Sequence, residues 1–297
     1  MTVAVLGATG VIGNALVSAL AGSDDVVAVS RSPDPSPREG VRTVAADVTD
    51  ATSVRRSLEG VEVAYYLVHS LGTPDYAVVD RRAAATVARE AERAGVSQLV
   101  YLGGLGDDLP DLSPHLRSRL ETAVALSSGS VPVTTLRAAV VIGRGSAAFE
   151  TIVSLVDRLP AMIAPRWVST PTQPIALADV VRYLVGVARM PEARGRSFDV
   201  GGPDVLSYKE MIERVAHIRG RRRLVIEVPV LSPRLSSLWL HLVTPVRAGI
   251  ARPLIEGLRN PTVVRNDRLR ALLPFPLTPF DDAARAALSD GSAGPAD

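Results

Sequence analysis

Apolar and polar positions alternate in blocks along the first half of the chain. Short apolar runs rich in valine are typical of buried strands, and the stretches between them carry apolar residues at helical spacing. The runs predict strands at residues 3–6, 26–29, 41–46, 61–68, 98–102 and 131–142. Helices are predicted from residue 11 onwards and at about residues 50–58, 75–95 and 113–127. This alternation predicts an α/β fold, a doubly wound parallel sheet covered by helices on both faces.

The pattern changes beyond residue 143. Helices are predicted at residues 146–159, 176–190, 207–219 and 234–258, strands at 197–200 and 223–228, and a proline-rich loop at 160–175. We therefore expect a sheet domain made of residues 1–145 with about 174–202, and a smaller cap made of about 146–173 with 203–288. Residues 289–297 are small and polar, which predicts a disordered tail.

Three glycines, Gly7, Gly10 and Gly13, follow the first strand and open the first helix. A strand that breaks at glycine and restarts as a helix points free N–H groups and the positive end of the helix dipole at one place, which suits a pyrophosphate. The spacing G-x-x-G-x-x-G matches the usual dinucleotide pattern only loosely, so a tight turn without a ligand is the alternative. The predicted binding residues here are Gly7, Thr9, Gly10, Val11, Ile12 and Gly13.

The second strand ends in Ser30 and Arg31, where NAD-binding proteins place an acidic residue for the ribose 2′-hydroxyl. An arginine at this position can bind a 2′-phosphate with its two N–H edges. The sequence therefore favours NADP(H) over NAD(H) as the cofactor. A solvated loop arginine is the alternative.

Two further segments are predicted to contact the cofactor. Asp47, followed by Val48, comes after the third strand and could accept a hydrogen bond from the adenine amino group or cap a helix. Leu67, His69 and Ser70 follow the fourth strand, where the chain should pass beneath the nicotinamide. A structural histidine bonded to the backbone is the alternative for His69.

Composition excludes several classes of protein. The net charge of +2 on 297 residues does not favour nucleic acid as a partner, and the absence of cysteine excludes disulfides. The four histidines form no ligand cluster, so no metal site is expected. We expect no signal peptide and no transmembrane segment, and thus a cytoplasmic protein. Peripheral membrane contact through an apolar face of residues 234–258 is an alternative to core packing of that segment.

The glycine turn, Arg31 and the Asp47–Val48 pair resemble the short-chain dehydrogenase/reductase superfamily. Later segments fit as well: YYLVHS at 65–70, YLGGLG at 101–106, LRAAVVIG at 136–143, PIALADV at 174–180 and FDVGGPDVLSY at 198–208. Within the superfamily the chain resembles the atypical, NmrA-like and complex I accessory-subunit-like NAD(P)-binding proteins. The resemblance implies a Rossmann fold with a small C-terminal cap, as in extended short-chain reductases.

The usual catalytic motif of that superfamily, Ser-Tyr-x-x-x-Lys, is absent. Lys209 is the only lysine, and the position four residues before it is Val205 rather than tyrosine. The helix after the fifth strand instead carries His115 and Arg119, which share one helix face at i and i+4. In one interpretation Arg119 holds the ribose hydroxyls and His115 donates a proton near neutral pH. In the other, Ser113 caps the helix and both side chains face solvent.

The sequence thus predicts an NADP(H)-binding, oxidoreductase-like protein. If it is catalytic, we expect hydride transfer to a carbonyl, a quinone or another small apolar acceptor. The alternative is a non-catalytic protein that senses the redox state of NADPH and reports it to a protein partner, or an assembly factor. The resemblance to NmrA-like proteins and to the complex I accessory subunit implies this second possibility.

Overall fold

The computed structural model describes residues 1–33, 38–73, 75–106, 112–228 and 259–289. Its strands are β1 (Thr2–Leu6), β2 (Asp25–Ser30), β3 (Val41–Ala45), β4 (Val63–Tyr66), β5 (Gln98–Gly104), β6 (Val133–Ala138), β7 (Val141–Ile142), β8 (Ala161–Pro165), β9 (Pro171–Thr172), β10 (Ile175–Ala176), β11 (Ser197–Val200), β12 (Leu206–Ser207) and β13 (Leu224–Val228). Its α-helices are α1 (Val11–Leu20), α2 (Ala51–Ser57), α3 (Tyr76–Arg93), α4 (Pro114–Leu126), α5 (Ala147–Arg158), α6 (Leu177–Ala188), α7 (Tyr208–Ile218), α8 (Arg268–Leu272) and α9 (Phe280–Ser289).

Seven parallel strands form the central sheet, in the order β11-β6-β5-β4-β1-β2-β3. The strand order reverses at β1, because the chain moves from β1 to β2 and β3 on one side and then to β4, β5 and β6 on the other. This crossover places the end of β1 at the switch point, where open α/β sheets bind their ligands. The predicted doubly wound fold is confirmed.

Apolar side chains fill both faces of this sheet. Along β1, Val3 and Val5 belong to the core that packs against α1 and α6, whereas Ala4 and Leu6 belong to the core that packs against α2, α3 and α4. The alternation follows from the period of two in a strand, and both sets are buried because helices cover both sides. A third buried cluster joins α5, α7 and α9.

The structure differs from the predicted elements in the second half. The proline-rich segment at 160–175 is not a plain loop, because it contains β8, which pairs in parallel with β13, and the short strands β9 and β10. Its prolines stand at strand ends, Pro165 last in β8 and Pro171 first in β9, where a missing N–H costs little. The predicted sixth strand is divided into β6 and β7, and α8 and α9 were not predicted.

Some expectations concern residues that the structure does not describe. The helix predicted at 234–258 and most of the predicted tail, residues 290–297, lie outside the described residues. Ser289, predicted to begin the tail, is the last residue of α9. The division into a sheet domain and a cap stays a prediction. In the part of the chain that is described, no helix has the length and apolarity needed to cross a membrane.

Three side chains, one buried and two half-buried, tie the C-terminal segment to the body of the protein. Asp179 accepts hydrogen bonds from the backbone N–H (2.7 Å) and hydroxyl (3.2 Å) of Thr278. Asp204 accepts from the N–H of Phe280 at 2.9 Å, and Gln173 accepts from the N–H of Val264 at 2.9 Å. These bonds return residues 259–289 to the carboxyl ends of the sheet strands.

Gly13 fixes how closely α1 approaches the turn after β1. A Cβ atom at this position would lie 2.2 Å from the carbonyl oxygen of Gly7, a distance that real Cβ atoms do not reach. Gly7 itself has φ +91°, which favours glycine, and a Cβ there would lie 3.0 Å from the backbone of Leu67. The turn therefore depends on these two residues, and Gly10 meets a weaker constraint, 3.3 Å from the same oxygen.

Replacement of Gly13 by alanine tests this close approach. We expect Gly13→Ala to lower the free energy of unfolding by about 1–3 kcal/mol, because the helix must shift away from the turn. Gly10→Ala is the matched control and should cost less than about 1 kcal/mol, since its φ of −71° suits any residue. Urea unfolding without cofactor measures both. Equal losses would contradict the argument.

Candidate functional site

The glycine turn presents unpaired backbone N–H groups at the end of β1. Gly7 and Ala8 donate to the carbonyl of Val29 at 2.9 and 3.1 Å, which ties the turn to β2. Helix α1 then begins at Val11 without a side-chain cap. The N–H groups of its first turn therefore have no helical partner and point, with the positive end of the dipole, beyond the sheet. This is the geometry that binds a phosphate.

The residues predicted to select the cofactor lie beside this turn. Ser30 is buried at the end of β2, and Arg31 is exposed immediately after it. A small cleft next to them is also lined by Thr9, Asn14 and Arg38. Ser30 and the glycine turn therefore border one cleft, and Arg31 follows Ser30 directly in the chain without lining that cleft.

Arg38 is a residue that the sequence analysis missed. Its guanidinium donates to the hydroxyl of Ser18 at 2.7 Å and to the side-chain oxygen of Asn14 at 2.9 Å. These bonds hold a second positive charge in the cleft beside Ser30. The only signal in the sequence is its position in the charged loop after β2, where nothing distinguishes it from a solvated arginine.

Asp47 is not the cap of the following helix. Its carboxylate accepts from the N–H and the hydroxyl of Thr49 at 2.8 and 2.7 Å, and these bonds hold the pKa of Asp47 below its usual value. Asp50 caps α2 by accepting from Ser53 and Thr52. Asp47 is therefore a fixed, ionised acceptor, with Val48 half-buried beside it. The predicted contact of this pair with adenine stays a prediction.

A cavity of about 270 Å³ opens beyond the ends of β4, β5 and β6. Its wall includes Ile12 from the glycine turn, so the cavity is continuous with the predicted cofactor position. The cap and the C-terminal segment close the other side with Thr170, Thr172, Tyr208, Asn260 and Thr262. Most of the remaining wall is apolar, from Leu102, Leu105, Leu116, Ala138, Ala139, Val140, Val141, Ala147 and Ala148.

His115 and Arg119 both line this cavity, and His69 lies with them. Ser113 does cap α4, with its hydroxyl accepting from the N–H of Leu116 at 3.3 Å, yet the two side chains do not both point to solvent. The imidazole rings of His69 and His115 are 5.8 Å apart. The i, i+4 spacing therefore brings both residues to one wall. Their roles stay a prediction.

Arg119 is held rigidly by neighbours from β5. Its guanidinium donates to the carbonyl of Leu102 and lies 5.0 Å from the centre of the Tyr101 ring. The hydroxyl of Tyr101 donates in turn to the carbonyl of Arg119 at 3.1 Å. The Nη1 atom of Arg119 is buried and has no hydrogen-bond partner among the described residues. This donor is available to a ligand.

The charge state of His115 differs from the one the sequence suggested. Burial, followed by the nearby charges of Arg119 and His69, lowers the pKa of His115 to about 3. Its Nδ1 atom is buried without a partner in the described part of the chain. At neutral pH His115 is therefore an uncharged imidazole, which can orient a ligand by hydrogen bonding but is a poor source of protons.

Leu67 and Ser70 are positioned by hydrogen bonds that their backbone N–H groups donate. The N–H of Leu67 donates to the carbonyl of Leu6 at 2.9 Å and continues the pairing of β4 with β1. The N–H of Ser70 donates at 2.9 Å to Asp80, a carboxylate on α3 that the sequence analysis did not consider. Asp80 is 1% exposed, and it also lies 3.6 Å from His69.

Arg119 is the one formally charged side chain among the described residues that line the cavity, which includes no aspartate or glutamate. The described residues contain no group of three His, Asp or Glu side chains that could hold a metal ion. The cavity therefore favours an uncharged or electron-rich ligand, and stabilises negative charge that develops within it.

Comparison with known proteins defines the class. Residues 7–136 match the family model described as NAD(P)H-binding. Over 220 residues, the chain is 25% identical to (4-alkanoyl-5-oxo-2,5-dihydrofuran-3-yl)methyl phosphate reductase from Streptomyces griseus, a match that covers 73% of each protein. This part of the chain is an NAD(P)H-binding domain.

Solved structures establish the same fold over nearly the whole chain. An NADPH-dependent quinone oxidoreductase from Escherichia coli has a TM-score of 0.76 at 19% identity, covering 95% of this chain and 98% of that one. The triphenylmethane reductase of Citrobacter sp. has a TM-score of 0.74 at 18% identity, covering 97% of this chain and 100% of that one. A nucleoside-diphosphate-sugar epimerase from Staphylococcus aureus has a TM-score of 0.78 at 15% identity, covering 96% and 100%.

Together these findings show an NAD(P)H-binding domain at residues 7–136, in a chain that has the fold of known NAD(P)-binding reductases and of an epimerase. These findings agree with the resemblance to the atypical short-chain dehydrogenase/reductase superfamily that the sequence predicts.

The neutral state of His115 has a measurable effect on stability. Because its pKa is lower in the folded than in the unfolded protein, the unfolded chain binds the extra proton as the pH falls below about 6.5, and stability is lost. We expect His115→Gln to reduce the slope of unfolding free energy between pH 6.5 and 4, by up to about 1.4 kcal/mol per pH unit. Urea unfolding across this range gives the slope.

The matched control is His217→Gln, which removes an exposed histidine from α7. If both variants changed the slope equally, the buried environment of His115 would not be the cause.

Proposed function

We propose that this protein is an NADPH-dependent reductase that transfers hydride to a small conjugated carbonyl or quinone held in the cavity. The observation that carries the proposal is that one cavity is bounded both by the glycine turn, through Ile12, and by the cap, through Thr170 and Tyr208. A nicotinamide that extends from a pyrophosphate at the turn enters this space. Its largely apolar wall suits an apolar acceptor.

The preference for NADP(H) rests on two arginines. Arg31 is exposed at the end of β2 and Arg38 is anchored in the adjoining cleft by Asn14 and Ser18. In this proposal both guanidinium groups bind the 2′-phosphate of NADP(H), which NAD(H) lacks. Two of the structural neighbours described above were solved with NADP(H) or NADPH, which supports the same choice.

The reducible acceptor is the second part of the proposal. The names of the relatives, two reductases and a quinone oxidoreductase, support reduction. In this cavity, the free Nη1 of Arg119 would stabilise the negative charge that develops on the oxygen of the acceptor as hydride arrives at carbon. When bound, the cofactor supplies the hydride, and the residues of the chain orient the acceptor and exclude water.

A non-catalytic NADPH sensor is the second candidate, favoured by the missing Tyr-x-x-x-Lys motif. It would bind NADPH and a protein partner instead of a small acceptor. The cytoplasmic location stays a prediction, as does the suggested peripheral membrane contact, which falls on residues 234–258 outside the described part of the chain.

Turnover with a panel of quinones, conjugated carbonyls and simple ketones distinguishes the two candidates. We expect NADPH to be oxidised in equal amount to the product formed with at least one conjugated acceptor. Thr170→Phe should raise the KM for that acceptor and leave the Kd of NADPH unchanged, because Thr170 lines the cavity on the side of the cap. Val124→Phe on the exposed face of α4 is the control.

Binding of NADPH without turnover of any acceptor, together with different affinities for NADPH and NADP⁺, would contradict the reductase and favour the sensor. Calorimetry measures the two affinities.

Charge reversal at Arg31 tests the choice of cofactor. We expect Arg31→Asp to weaken NADPH binding by about tenfold or more, and NADH binding much less, because only NADPH carries the 2′-phosphate. Arg222→Asp, at an exposed position between α7 and β13 that lines neither the cleft nor the cavity, makes the same charge change away from the site. A fluorescence titration that showed equal losses for both cofactors would exclude the proposed role of Arg31.

A further inference from the structure

Asp80 is a buried carboxylate that the arrangement described so far does not use. One of its oxygens, Oδ1, accepts from the N–H of Ser70 at 2.9 Å. The other, Oδ2, is buried and has no hydrogen-bond partner among the described residues. An ionised oxygen without a hydrogen-bond partner is costly inside a protein. We therefore looked for a neighbouring group that could interact with Oδ2.

The group that faces this oxygen is His69. Its Nδ1 atom lies 3.6 Å from Asp80 Oδ2, slightly beyond hydrogen-bond distance. The imidazole is part of the cavity wall, and 32% of its side chain is exposed. His69 therefore touches three environments at once: a buried carboxylate, the cavity and solvent.

We propose that Asp80 and His69 form a proton-transfer dyad, in which Asp80 fixes the imidazole with its Nδ1–H towards Oδ2, and His69 supplies the proton that completes reduction of the acceptor. The proposal rests on the proposed reductase function. Asp80 is a positioning residue in this arrangement, and His69 is the proton donor. The carboxylate selects the tautomer because an ionised oxygen accepts a hydrogen bond and cannot donate one.

The other polar groups of the cavity wall are poorer sources of a proton. Burial and the nearby charges of Arg119 and His69 lower the pKa of His115 to about 3, whereas at His69 the Asp80 carboxylate opposes the effect of burial. Burial raises the pKa of the Tyr208 hydroxyl well above its usual value. Arg119 does not release its proton in proteins. His69 is the one among these four that combines a carboxylate partner with contact to solvent.

Reduction of the acceptor requires one hydride and one proton. Bound NADPH would supply the hydride, with the electron pair of its C4–H bond, to the acceptor carbon, and the C=O π pair would move to oxygen. The oxyanion takes a proton from Nε2 of the His69 imidazolium, so that the products are the oxidised cofactor, the reduced acceptor and neutral His69. Solvent returns the proton to His69 through its exposed edge.

The surroundings of His69 set the direction of its pH dependence. Asp80 on α3 favours the imidazolium, whereas Arg119 on α4 and burial oppose it, and His115 on α4 is its aromatic neighbour. Burial prevails, so the pKa of His69 lies below its usual value. Turnover should therefore fall as the pH rises through this pKa, because the donor loses its proton.

Nuclear magnetic resonance of protein labelled with ¹⁵N-histidine tests the dyad without any substrate. The chain has four histidines, and single His→Gln variants assign them. We expect neutral His69 to carry its proton on Nδ1, and Asp80→Asn to lower its pKa further. The asparagine keeps an oxygen for the N–H of Ser70. A proton on Nε2 in the unaltered protein would overturn the proposal, and this measurement does not depend on whether the variant folds.

The dependence of kcat on pH, measured with a quinone or carbonyl that the protein reduces, is the second test of the dyad. His69→Gln should lower kcat by about a hundredfold near pH 6 and remove the fall of kcat with pH. Asp80→Asn should shift the decrease of kcat to lower pH and leave the KM of the acceptor unchanged. The control His217→Gln should leave both kcat and its pH dependence unchanged. Unchanged pH profiles in both variants would overturn the dyad. Absence of turnover in the unaltered protein would contradict the reductase, while the tautomer measurement still decides the dyad.

Discussion

The contact between Gly13 and the carbonyl of Gly7 is the constraint on which the site depends. It allows α1 to start directly against the turn after β1, and so fixes where the first N–H groups of the helix point. The same approach carries Ile12 to the edge of the cavity. Any larger residue at position 13 would move these N–H groups and the cavity wall together. The proposed pyrophosphate position and the proposed acceptor space therefore depend on the same close contact.

The far side of the cavity depends on segments distant in the sequence. Asp179, Asp204 and Gln173 bind the backbone of residues 259–289 and so hold Asn260 and Thr262 against the opening. Of these three, Asp179 is fully buried, so breaking its bonds to Thr278 would leave a carboxylate without partners inside the protein. The cavity thus has one wall from the sheet and another from the returning chain.

Local sequence determined much of this account. The alternation of apolar runs and helices was sufficient for the central sheet, and the i, i+4 spacing of His115 and Arg119 was sufficient to place both on one wall. Asp80 was not predictable, since a carboxylate near the start of an alanine-rich helix is indistinguishable from a solvated charge until the fold brings His69 and Ser70 against it. The pairing of β8 with β13 and the neutral state of His115 also depend on contacts between distant segments.

A crystal structure with NADP⁺ and an acceptor analogue bound tests the proposed site most directly. We expect the pyrophosphate to lie on the N–H groups of Val11, Ile12 and Gly13, and the 2′-phosphate to contact Arg31 or Arg38. The acceptor carbon should lie about 3–3.5 Å from nicotinamide C4 within the cavity. A nicotinamide directed away from His69 and Arg119, or an analogue bound elsewhere, would contradict hydride transfer in this cavity.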